Sequence, residues 1–145
     1  MSKEEFKDVI NFAQEERNLM RERAYSVINQ GVIIRDPDRF DLRGDLICGK
    51  NVEIDINVII EGEVILGDNV KVESHCILIS STIGNGSIIR SYSLVEKAEI
   101  GRKSFVGPYG RIRPGTKIGD QVQIGNFVEV KDSTIASNCR INHHS

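Results

Sequence analysis

Two hydrophobic rhythms divide the chain, and one gives way to the other near residue 48. From residue 3 to 28, Phe6, Ile10, Ala13, Met20, Ala24 and Val27 recur near helical spacing, with Glu and Arg on the opposite face. That pattern predicts an amphipathic helix with those six residues facing a core. Asn29-Gln30-Gly31 supplies its stop, because glycine is free to turn left-handed at a helix end. Such a helix is not stable alone and needs a surface to pack on. "RDPDRFDLRG" then reads as a polar, turn-rich stretch. The expected layout is a linking helix at 1–30, a polar link into the first coil at 31–47, and a repeat at 48–145.

The second rhythm runs through Ile54, Ile60, Leu66, Val72, Leu78, Ile83, Ile89, Val95, Ile100, Val106, Ile112, Ile118, Ile124, Val130, Ile135 and Ile141. All sixteen are aliphatic, and twelve of the fifteen steps between them are six residues. Neither the helical period nor the strand period produces this, whereas a hexapeptide repeat does. Each hexapeptide is a short strand plus a turn, and three make one triangular coil of about 18 residues. The aliphatic position points inward and stacks on the next coil about 4.8 Å away. Each such burial is worth about 1.5–3 kcal/mol, so the series is the core. The fold class expected is all-β: a parallel β-helix of about five to six coils, preceded by one helix.

Glycines support the coil length. Gly49, Gly67, Gly84, Gly101 and Gly119 each follow an inward residue and are 17 or 18 residues apart, so they should line one corner. Gly107 and Gly125 belong to a second. A tight turn tolerating positive φ is the expected reason. At the third corner the column reads Glu61, Ile79, Glu96, Arg113, Lys131. Two cations thus stand on adjacent coils. They suit one phosphate dianion, Arg113 by a forked contact and Lys131 as a point charge. The alternative is a solvated charge ladder, with Glu96 beside Arg113 and Glu129 beside Arg111.

Composition narrows the partners. The net charge is −2 with both signs mixed, so no basic patch points to nucleic acid. Ile, Leu and Val make up 40 residues and Trp is absent, so the core should be aliphatic. Cys48, Cys76 and Cys139 are odd in number and far apart. They read as reduced thiols in a cytoplasmic protein rather than a disulfide framework, with Cys76 and Cys139 as small buried core residues. The N-terminus is too charged for a signal peptide and no apolar run reaches membrane-spanning length, so no membrane partner is expected.

"GVIIRDPDRFDLRG", "VEIDINVIIEG", "GRIRPG" and "IGNFVEVK", in that order, resemble the C-terminal half of the bifunctional bacterial enzymes of UDP-N-acetylglucosamine biosynthesis. These join a uridylyltransferase to a glucosamine-1-phosphate N-acetyltransferase, and the resemblance runs from about Gly31 to His143. It implies a left-handed parallel β-helix assembled as a homotrimer, with residues 3 to 28 as the linking helix. It also implies that Arg113 and Lys131 hold the phosphate of the sugar phosphate, glucosamine-1-phosphate or N-acetylglucosamine-1-phosphate. His143 matches the general base that takes a proton from the attacking amine, and Glu129 matches a nearby acidic residue. Asn142 stands where the family has glycine, and His144 where it has an aliphatic residue. The γ-type carbonic anhydrases share this fold, but His75, His143 and His144 lack their zinc spacing, so no metal is expected.

The resemblance also defines what to expect of activity. The sequence has no nucleotide-binding domain with a Gly-rich phosphate loop, so uridylyl transfer is not expected. The family's acetyl-CoA pocket uses coils later than Ser145, so no bound cofactor is expected, and acetyl-CoA is a cosubstrate only if the chain is active. One expectation is therefore a partial, weakly active or inactive acetyltransferase that keeps part of the sugar-phosphate site. The other is a non-catalytic trimeric scaffold, or a partner or regulator of a full-length enzyme.

Overall fold

A computed structural model describes residues 1–142. After one helix the chain winds as a parallel solenoid of three sheets, with seven, six and six strands. Each sheet is one face of a triangular prism. Face one carries Ile33–Ile34, Glu53–Ile54, Lys71–Val72, Ile88–Ile89, Phe105–Val106, Gln123–Ile124 and Arg140–Ile141. Face two runs from Phe40–Leu42 to Glu129–Val130, and face three from Asp45–Cys48 to Thr134–Ile135. This is the left-handed parallel β-helix expected, with about six coils.

The inward series forms the core as its spacing requires. Ile54 through Val130, fourteen residues of the sixteen, are buried, while Ile135 and Ile141 in the last coil are partly so. A second six-residue column lies two positions earlier: Val52, Val58, Val64, Val70, Cys76, Ser81, Ser87, Ser93, Ala98, Ser104. These are small because they fill the narrow prism edges beside the larger aliphatics. Their hydroxyls are satisfied. Ser87 Oγ donates to the Gly101 carbonyl at 2.6 Å, and Ser104 Oγ donates to that of Gly119 at 2.7 Å. Cys76 sits in this column as expected, whereas Cys139 is exposed, because no further described coil lies over it.

Residues 31–47 are themselves the first coil. Ile33 pairs with Glu53, Phe40 with Val58 and Asp45 with Glu63, all parallel. A 3-10 turn at Pro37–Arg39 adds two residues between the inward Ile34 and Leu42. That insertion breaks the beat and makes the segment read as polar.

The corner glycines are needed for a different reason from the one expected. Gly49, Gly67, Gly84, Gly101 and Gly119 do not have positive φ. A Cβ at any of them would lie within 3 Å of the next coil, for instance 2.5 Å from the Gly101 carbonyl carbon at Gly84. Two residues on, Asn51, Asn69, Gly86, Lys103 and Gln121 take the left-handed conformation instead, as Asn138 does one coil later. Side chains then lace the coils together. Asp68 Oδ1 accepts from the Lys50 amide, Asn85 Oδ1 from Asp68 and Asp120 Oδ1 from Arg102.

The helix spans Lys3–Asn29, capped by Ser2, whose hydroxyl accepts from the Glu5 amide, and followed by Gly31 at φ +102°. Only its second half packs. Met20, Ala24 and Val27 are buried, and Arg17, Arg21 and Arg23 bind Asp38, Asp41 and the Leu42 carbonyl. Phe6, Ile10 and Ala13, expected in the core, are exposed because the first turns run past the solenoid.

Candidate functional site

The cation corner lies between faces two and three. Ile112 and Val130 are buried partners in the parallel register of Arg111–Ile112 with Glu129–Val130. The next residue on each strand is therefore Arg113 or Lys131, one coil apart. Arg113 is held by its backbone: its amide donates to the Val130 carbonyl at 2.8 Å. Each cation rises from a rigid, packed element, which is what precise recognition of a small anion needs.

Glu129 points into this corner. Arg113 Nη1 donates to Glu129 Oε1 at 3.1 Å, with the side chains 36% and 49% exposed. Glu129 is opposite Arg111 in strand register, as the ladder reading expected, but its ion pair is with Arg113. Glu96, expected beside Arg113, makes no ion pair among the described residues, and neither does Lys131. One cation is therefore paired with a carboxylate, and the other is exposed with no carboxylate partner among the described residues. Around the corner, on face three, a groove of about 280 Å3 is lined by Ser80, Thr82, Lys97, Glu99 and Lys117. His143, the expected base, lies outside the described residues, as does His144.

Other candidate groups fall away on chemistry. Burial pushes the Cys48 thiol up to about 11 and the Cys76 thiol up to about 12, which removes them as nucleophiles near neutral pH. Among the described residues no three His, Cys, Asp or Glu side chains are grouped to hold a metal ion, and no helix is long and apolar enough to cross a membrane.

One surface feature escaped the sequence reading. At the corner between faces one and two, His75, Tyr92, Tyr109 and Phe127 stack ring on ring. Their centroids are 4.6, 5.2 and 4.9 Å apart and their planes within 10° of parallel. All four have left-handed φ, near 60°. Their spacing of 17, 17 and 18 residues, one coil each, was the available signal.

The comparisons with known proteins agree with this architecture. The family model described as the GMPPB C-terminal domain matches residues 42–145. The bifunctional protein GlmU of Nitrosomonas eutropha is 51% identical over 95% of this chain, and that of Acinetobacter baumannii 44% over 94%. The chain spans about 30% of the length of these relatives. Among solved structures, the acetyltransferase domain of PglB from Neisseria gonorrhoeae superposes with a TM-score of 0.52 at 18% identity, covering 85% of this chain and 64% of that one, a likeness of fold. With more than half of its residues under one family model, the chain belongs to the GMPPB C-terminal domain family and corresponds to the C-terminal, hexapeptide-repeat part of GlmU proteins.

Proposed function

We propose that this domain binds a sugar phosphate, with glucosamine-1-phosphate as the first candidate, at the Arg113–Lys131 corner, and that it is an acetyltransferase module. The observation that carries this reading is the stacking of two cations on adjacent coils with only one of them neutralised. The corner is not a closed charge ladder: Glu96 makes no ion pair with Arg113, and Lys131 has no carboxylate partner among the described residues. A phosphate dianion satisfies both, by the fork of Arg113 and the point charge of Lys131. Glu129 occupies the Arg113 guanidinium until the phosphate displaces it.

In the transfer reaction the sugar's amine nitrogen attacks the thioester carbonyl of acetyl-CoA. The new C–N bond forms, the C–S bond breaks, the thiolate of CoA leaves, and the amine loses a proton to a base. His143 is the residue proposed for that base, an imidazole being suited to the role near neutral pH. Homotrimeric assembly belongs to the same proposal. The second reading, a non-catalytic binding module, is favoured by the same corner if no transfer occurs.

Titration with glucosamine-1-phosphate tests the site. Arg113→Ala should weaken binding about tenfold or more, as loss of a charge-assisted fork does. Unchanged binding in that variant reduces the corner to a charge ladder. Following free thiol with glucosamine-1-phosphate and acetyl-CoA separates the two readings. Release that depends on His143 supports transfer, and binding without release supports the module.

A further inference from the structure

The run of outward side chains breaks at the corner between faces one and two. The residue after each inward position of face one reads Arg35, Asp55, Glu73, Arg90, Gly107, Gly125, Asn142. The fifth and sixth coils thus present no side chain there. A notch of about 290 Å3 opens, bounded by Arg90, Phe105, Pro108, Gln123 and Asn142. The Arg90 guanidinium lies over the Phe105 ring, 5.7 Å from its centroid. Arg90 makes no ion pair among the described residues. The nearest acid in its column, Glu73, is engaged with the Ser91 amide at 3.2 Å.

We infer that this notch binds a nucleoside monophosphate. Stacking on Phe105 occupies the face of the guanidinium but leaves its in-plane N–H donors at the edge, where they suit a phosphate. Phe105 and Pro108 line the notch and offer apolar surface for a base. Gln123 and Asn142 each carry a donor and an acceptor on one planar amide, the combination that base edges pair with. The volume is at the low end for ligand pockets, which fits a mononucleotide and not a dinucleotide. The site shares no residue with the Arg113–Lys131 corner and does not rest on the reading of that corner.

The test is calorimetric titration of the full chain with UMP and AMP, set against uridine, ribose 5-phosphate and inorganic phosphate. The mononucleotides should bind at least about tenfold more tightly than the three fragments, since both halves of the ligand are recognised. Arg90→Ala should weaken UMP about tenfold or more, and Arg90→Lys less, because charge is kept and the fork lost. Arg113→Ala should leave UMP binding within about twofold, as distant independent sites do. Arg90 is outward and exposed, so its variants keep the fold, which their melting curves check. No saturable UMP binding at millimolar concentration overturns the inference. So does equal binding by Arg90→Ala, inorganic phosphate binding as tightly as UMP, or loss of UMP binding in Arg113→Ala.

Discussion

Replacing Gly101 by alanine isolates what holds one coil against the next. A Cβ there would stand 2.5 Å from the Gly119 carbonyl oxygen, 2.6 Å from its carbon and 2.5 Å from Asp120 Oδ1. Ordinary contact for such atoms begins near about 3.5 Å, so the coils must part locally by about 1 Å. Three hydrogen bonds cross that gap. The Gly101 amide donates to the Ile118 carbonyl at 2.8 Å, Ser104 Oγ donates to the Gly119 carbonyl at 2.7 Å, and the Arg102 amide donates to Asp120 Oδ1 at 2.7 Å. An added ångström takes each out of range. At about 1 kcal/mol apiece the loss is about 3 kcal/mol, and loosened packing of Ile100 on Ile118 adds to it. For a chain of this size that is a fall in Tm of about 10 °C. Gly31→Ala is the control: φ is +102° but no atom lies within 4 Å of the added Cβ, so only backbone strain of about 1–2 kcal/mol applies. Urea unfolding followed by circular dichroism compares the two. If Gly101→Ala costs no more than Gly31→Ala, the close-approach argument is refuted.

Glu129→Gln should tighten phosphate binding about threefold, because the carboxylate competes for Arg113, and should change stability by less than about 1 kcal/mol because the pair is exposed; weaker phosphate binding in titration counts against the proposed corner. Phe6→Ser with Ile10→Ser should shift Tm by only about 2 °C or less, while Met20→Ala should cost about 2–4 kcal/mol, since only Met20 is packed. A thiol reagent at pH 8 should label Cys139 first and Cys76 only on unfolding. Burial raises the Cys76 value from 9.0 to about 12, so the unfolded thiol ionises first as pH climbs. Stability should therefore fall above pH 9, by up to about 1.4 kcal/mol per pH unit from this group. Cys76→Ala should flatten that slope in urea titrations across the range.

The six-residue beat was legible in the sequence because it is local: which side chain points inward depends on position within one hexapeptide. From it followed the solenoid, the coil length, the buried column from Ile54 to Val130, and the placement of Arg113 and Lys131 one coil apart. What the sequence left undecided depends on contact between coils. The Pro37–Arg39 turn hid the first coil until its strands were seen to pair with the second. The corner glycines proved to be a matter of coil-to-coil distance, with the left-handed turns carried by Asn51, Asn69 and their counterparts. Glu129 turned to Arg113 and away from its register partner Arg111, a choice made by side-chain reach after the backbone was set. The helix pattern is equally apolar along its length, yet only the turns that meet the solenoid are buried, because burial needs a second surface. Periodicity determined which residues face the axis; only the stacked coils decided which neighbours they meet.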